Sequence, residues 1–158
     1  MNDSNIPSIF NDVISPVMRG PSSSHTAASW RIAMISLEIL NEDLKSAIIS
    51  FDSEGAWATN YQEQGTVMGM TAGLLGIEIT DKRMKDITTL AKNRGIPINY
   101  GIDNIVNNHP NTVHLLLEGK TGNNSEILAV SLGGGSFELQ KINGYNVCIN
   151  GGYFEIIV

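Results

Sequence analysis

The residues best equipped for chemistry lie together near the start of the chain, in Gly20-Pro21-Ser22-Ser23-Ser24-His25-Thr26. Gly-Pro fixes the entry path, and hydroxyls and one imidazole follow directly. Next comes a segment in which Ala28, Ile32, Ile35 and Ile39 recur at i, i+4, i+7 and i+11, the apolar stripe of a helix. The serine run therefore stands where an N-cap should stand. The first N–H groups of a helix lack intrahelical partners and lie at the positive end of its dipole. With hydroxyls added, such a place suits a small anion, a carboxylate or a phosphate. His25 would add a group able to move protons near neutral pH. The plain alternative is capping alone, which needs only one Ser or Thr.

Other polar groups are more ambiguous. In His109-Pro110-Asn111-Thr112 a turn role, with Pro110 fixing φ and Asn111 bonding locally, stands against His109 or Asn111 reaching the site beside His25. His114, inside the apolar run Val113 to Leu117, reads as a strand-face residue. Gly133-Gly134-Gly135-Ser136 lacks the strand–loop–helix setting of a phosphate loop and reads as a bulge or tight turn. Trp57 and Tyr61, four apart, read as helix packing, with a lid over a pocket as the alternative; Met68 and Met70 read as core filling. The single cysteine, Cys148, excludes an intrachain disulfide, a Cys-rich zinc site and a complete iron–sulfur cluster. Its strand-like setting predicts a buried, inert thiol.

The elements that must position these groups divide the chain in two. A short helical turn is predicted over residues 6–14, the long helix from Ala28, a strand over 47–51, a second helix over 56–76 and a third over 81–93, ending at Gly95. Gly65, Gly69 and Gly73 recur every four residues on the second helix. Glycine costs about 1 kcal/mol against alanine there, so three on one face predict very close packing on another element. Strands are predicted over 98–102, 112–117, 126–132, 137–142, 145–149 and 153–158, with Asn143-Gly144 as a type I′ hairpin turn. Helices first and strands later indicate an α+β fold, about three helices on one face of a mixed, mainly antiparallel sheet.

Composition bounds the function. The chain has 158 residues, 42% hydrophobic and 16% charged, which fits one globular core. A net charge of −6 disfavours nucleic acid as a partner. No stretch approaches the roughly 20 apolar residues that span a bilayer, and no signal peptide is visible, so a cytoplasmic protein without membrane partners is expected.

The motif Gly-Pro-Ser-Ser-Ser-His-Thr, preceded by Ser8-Ile9-Phe10-Asn11-Asp12-Val13 and Pro16-Val17-Met18, resembles the opening of the β chain of bacterial iron–sulfur-dependent L-serine dehydratases. The similarity continues through Ala72-Gly73-Leu74-Leu75-Gly76, His109-Pro110-Asn111-Thr112-Val113, Ser131-Leu132-Gly133-Gly134-Gly135 and Ile142-Asn143-Gly144-Tyr145. The resemblance implies an α partner whose cysteines carry a [4Fe–4S] cluster, and no metal ligand on this chain. In that family one iron acts as a Lewis acid on the substrate hydroxyl, and water is eliminated to give an enamine that hydrolyses to pyruvate and ammonia. The resemblance further implies His25 as the acid/base candidate and Ser22, Ser23, Ser24 and Thr26 as carboxylate-binding residues. It brings Gln64, Thr66, His109 and Asn111 into the candidate substrate site as well. It leaves room for a homodimer.

One departure stands out. Where the family shows Tyr-Lys-Gly-His-Gly-Thr-Asp, this chain reads Tyr61-Gln62-Glu63-Gln64-Gly65-Thr66-Val67. Gln64 hydrogen-bonds but exchanges no proton, and Val67 does neither. If those positions touch substrate, the chain favours another substrate or binds without turnover; if they only pack, the change is harmless. The competing functional class is therefore a non-catalytic domain that senses serine or a similar carboxylate; a purely structural subunit is a third. Residues 1–150 are expected to form the β-type domain. Residues 151–158 resemble the first strand of a small regulatory domain, either cut short or pairing with a partner.

Overall fold

The computed structural model describes residues 20–107, 109–153 and 156. The turn expected over 6–14 lies outside the described residues. So does most of the strand expected over 153–158.

Helix α1 (Ala28–Leu40) leads into strand β1 (Leu44–Asp52), then α2 (Thr66–Leu74), α3 (Ile87–Asn93) and strands β2 (Ile98–Asp103), β3 (Thr112–Gly119), β4 (Asn124–Gly133), β5 (Ser136–Ile142) and β6 (Tyr145–Ile149). The strands form one sheet in the order β2-β1-β3-β4-β5-β6. Only β1 and β2 run parallel, which requires the crossover that α2 and α3 supply; the other pairs are antiparallel. The fold is α+β, with three helices packed against a mixed, mostly antiparallel sheet.

Alternation sorts the strands into two faces. Ala47, Ile49 and Phe51 of β1, Val113, Leu115 and Leu117 of β3, Ile127 and Ala129 of β4, and Phe137 and Leu139 of β5 are buried with Ile32, Leu40, Met70 and Leu74 of the helices. On the other face Ile48 pairs with Leu116, and both stay exposed. His114 lies on that face and bonds Glu126 at 2.9 Å, as expected of a strand-face residue. Asn143 (φ 50°) and Gly144 (φ 83°) make the predicted hairpin turn between β5 and β6.

The glycine stripe packs on α1. A Cβ on Gly69 would overlap the Thr26 carbonyl and the Ser29 hydroxyl, and one on Gly73 would stand 2.5 Å from the Trp30 carbonyl. Two corrections follow from the same region and from β6. The helix expected over 56–76 is helical only over Thr66–Leu74, and 56–65 is a succession of turns. Gly65 takes the left-handed conformation (φ 84°), which a right-handed helix cannot pass through, and lies against Thr26. Cys148 is exposed rather than buried, because β6 directs Ile149 into the core and so turns Cys148 the other way; its thiol donates to Glu138 at 3.4 Å.

Candidate functional site

One end of the sheet gathers the singled-out groups. Ser22, extended at φ −143° and ψ 125°, precedes a single π turn, Ser23–Ala27, that runs directly into α1. The Ser22 carbonyl accepts the Thr26 N–H at 2.8 Å, so the backbone starts the helix as a cap residue should. The Ser22 hydroxyl makes no cap bond. It lies 2.9 Å from His25 Nδ1 and 3.1 Å from the Ser24 hydroxyl, and Ser24 Oγ is 3.3 Å from the same nitrogen. The other ring nitrogen, Nε2, is 2.9 Å from Asn60 Oδ1. Ser22, Ser23, Ser24 and His25 are all half-buried. Plain capping would have used Ser22 differently.

Thr26 and Ser29 turn inward and hold the approach of α2. Thr26 is fully buried and donates to the Gln64 carbonyl at 3.1 Å, while Ser29 donates to the Thr26 and Thr66 carbonyls. The Thr26 hydroxyl is thus spent within the protein. Thr66 opens α2 with a fully buried hydroxyl that has no hydrogen-bond partner; Trp57 Nε1 is in the same condition. Trp57 lies against the motif, its ring centroid 6.0 Å from that of His25 and 5.7 Å from that of Phe51. Its full burial makes it a packing residue, set on a turn rather than a helix.

The loop before β3 and the turn after β4 close the same end. The Pro110 carbonyl accepts the Ala56 N–H at 2.7 Å, tying the loop to the turns that carry Trp57 and Asn60. His109 Nδ1 accepts the Asn111 N–H at 3.2 Å, and the His109 carbonyl accepts the Thr112 hydroxyl at 2.7 Å. Asn111 bonds Ser131 through its carbonyl and its side-chain amide. Ser131 in turn donates its hydroxyl to the Ser24 carbonyl at 2.9 Å. Asn111 is therefore joined to the motif through Ser131, and the contacts of His109 are local ones of a turn. The three glycines make the β4–β5 turn, where the Gly135 carbonyl accepts from Arg31 Nη1 of α1 at 3.1 Å.

Burial, the larger cause, lowers the His25 pKa and the bond to Asn60 acts the other way, which favours the neutral ring at neutral pH. No ion pair of the described residues includes a motif residue. Asn60 and Ser131 were not singled out by residue type. Asn60 lies among turns that read as helix, and Ser131 shows its role only through the backbone it meets. Among the described residues no group of three or more His, Cys, Asp and Glu could hold a metal ion, and no helix is long and apolar enough to cross a membrane.

No family model matches the chain. Curated relatives do. The chain is 34% identical over 151 residues to the probable L-serine dehydratase, beta chain, of Bacillus subtilis (strain 168), covering 96% of this chain and 67% of the relative. It is 32% identical over 148 residues to the L-serine dehydratase, beta chain, of Peptoniphilus asaccharolyticus, covering 93% of this chain and 66% of the relative. It thus spans about two thirds of the length of each. With nearly all of its residues aligned at this level, the chain belongs to the family of bacterial L-serine dehydratase β chains.

Proposed function

We propose that this chain is the small, cluster-free half of an L-serine dehydratase, assisting the elimination of water from L-serine to give pyruvate and ammonia. The observation that carries this reading is the Ser22–His25–Asn60 chain of hydrogen bonds at the start of α1. It presents a neutral imidazole and two half-buried hydroxyls where an anion is favoured. Ser22, Ser23 and Ser24 would take the substrate carboxylate. Thr26 would act by fixing the turn against Gln64. A hydroxyl left without a partner on Thr66 fits a donor or acceptor reserved for a ligand group.

His25 would serve as the proton-transfer group. With Nε2–H donating to Asn60, the Nδ1 lone pair is the one able to accept a proton, and an incoming substrate would compete for it with Ser22. His109 would support the loop and Asn111 would hold Ser131, which orients Ser24.

The chain's own donors do not fit a [4Fe–4S] cluster: there is one cysteine, exposed on the last described strand. The cluster is accordingly assigned to an α partner. Residues 151–158 as the first strand of a small regulatory domain or as a strand that pairs with a partner, and a cytoplasmic setting, belong to the same proposal. The second reading, a serine-sensing domain without turnover, draws on Gln64 and Val67.

The test is anaerobic assembly with the cysteine-containing partner, cluster reconstitution, and 2-oxo acid release from L-serine, D-serine, L-threonine and L-cysteine. Pyruvate from L-serine that disappears with His25→Ala in an intact complex is expected. No product from any substrate with the cluster intact would favour the sensor. Gln64→His with Val67→Asp would then show whether those two positions are the reason.

A further inference from the structure

We infer that Asn60 is the positioning residue for His25: its carboxamide oxygen holds the imidazole as the Nε2–H tautomer, so that the basic lone pair on Nδ1 faces the Ser22 and Ser24 hydroxyls.

With the carboxamide oxygen of Asn60 turned to the ring, one proton arrangement fits a neutral imidazole. Asn60 Oδ1, 2.9 Å from Nε2, is an acceptor only, so Nε2 carries the hydrogen and donates it. Nδ1 is then unprotonated and accepts from Ser22 Oγ at 2.9 Å, with Ser24 Oγ 3.3 Å away. A base bonded on one side to a hydroxyl and on the other to a fixed acceptor is the arrangement by which proteins set which ring nitrogen does the work. Asn60 can hold this position because it belongs to the turns of 56–65 rather than to a helix. Its own N–H donates to the Trp57 carbonyl, its carbonyl accepts the Gln64 N–H at 3.0 Å, and Trp57 is anchored in the core against Phe51. The acceptor is neutral. An aspartate there would fix the same tautomer but would also favour the charged ring, which accepts no proton. An asparagine therefore orients the base and leaves it ready to act.

The statement about the tautomer stands on the geometry alone; its consequence for turnover rests on the dehydratase reading. The experiment uses the full chain, with long-range ¹H–¹⁵N correlations of the histidine rings assigned by comparison with His25→Gln. The wild type should show His25 as Nε2–H. Asn60→Ala should lose that preference and give both tautomers. Asn60→Asp, nearly isosteric, should restore Nε2–H and titrate at higher pH than the wild type. Amide spectra of each variant report whether the fold is kept. A wild-type His25 in the Nδ1–H form, or a tautomer unchanged by Asn60→Ala, would overturn the inference. In the assembled enzyme Asn60→Ala should lower kcat roughly tenfold or more, a part of the 10²–10⁴ that a positioned base contributes. The acid limb of its pH profile should move to higher pH in Asn60→Asp. If the complex released no pyruvate from L-serine while the tautomer behaved as stated, the dehydratase reading would fail and the positioning by Asn60 would remain; a fully active His25→Ala would remove only the proton-transfer role of His25.

Discussion

The two ends of the sheet differ in how far their polar side chains are used up in holding backbone together. At the end away from the motif, Glu42, just past α1, is consumed by the β3–β4 turn, bonding the Thr121 N–H and hydroxyl and the Asn123 N–H. Asn123 returns a bond to the Leu40 carbonyl at 3.1 Å, and Lys120 reaches Asp43 at 3.1 Å. Each of these contacts joins the end of α1, or the segment that follows it, to the β3–β4 turn. At the motif end Ser22, His25 and Asn60 bond chiefly to one another, and Trp57 Nε1 and Thr66 Oγ1 have no partner. Polar groups that close a turn stabilise it; polar groups kept half-buried among themselves remain open to a ligand. The difference supports the proposal that one end is structural and the other chemical, although both lie on the same two-layer scaffold.

That contrast can be broken in graded ways. The largest effect should come from Gly69→Ala, since the new Cβ overlaps the Thr26 carbonyl and drives α2 off α1 directly beneath the motif. Overpacking of this kind costs about 1–3 kcal/mol or more, against about 1 kcal/mol of gained helix propensity. Urea unfolding should show a net loss, and a variant as stable as the wild type would mean that the two helices separate freely. Next, Glu42→Gln should lower stability at neutral pH. The Thr121 hydroxyl foremost, with the backbone N–H groups of Thr121 and Asn123, holds the Glu42 carboxyl below its ordinary range. The folded pKa is depressed, so the contribution is present above the ordinary carboxylate value and is lost as pH falls through the folded one. Melting curves of the two proteins should therefore converge in acid.

At the motif end the sign is similar but the cause differs. Burial favours neutral His25, so the unfolded chain binds that proton more readily and the native state loses stability as the pH falls below the ordinary histidine value. His25→Gln should remove that part of the decline, which lies below the ordinary histidine value, with little change at neutral pH. A variant whose acid sensitivity matches the wild type would place the lost protons elsewhere. The smallest effect concerns Cys148. Being exposed, it should react with a thiol reagent in the native protein without denaturant, and Cys148→Ser should leave the melting temperature nearly unchanged. Protection of the thiol until unfolding would contradict its outward placement.

The scaffold was largely legible because its signals are local and repeated. Ala28, Ile32 and Ile35 recur with helical spacing, the strands alternate, and Asn143-Gly144 prescribes its own turn. The four-residue glycine spacing even foretold close packing, because only backbone contact makes that spacing worth its cost. What was not legible depends on where chains meet. Apolar and aromatic residues over 56–65 mimic a helix, and only the left-handed Gly65 pressed against Thr26 shows why it cannot start there. Asn60 is an ordinary turn residue until His25 lies beside it, 35 positions away in the chain. Cys148 was misjudged because its apolar neighbours suggested a fully buried strand, whereas β6 lies at the sheet edge with one face outward.

The most direct test sets the two ends side by side in the reconstituted enzyme, measuring pyruvate release from L-serine together with the melting temperature of the complex for His25→Gln and Glu42→Gln. The account predicts that His25→Gln loses roughly 10²–10⁴-fold in kcat while melting near the wild type, and that Glu42→Gln melts lower yet keeps its turnover. A His25→Gln complex that turns over L-serine as fast as the wild type would contradict it.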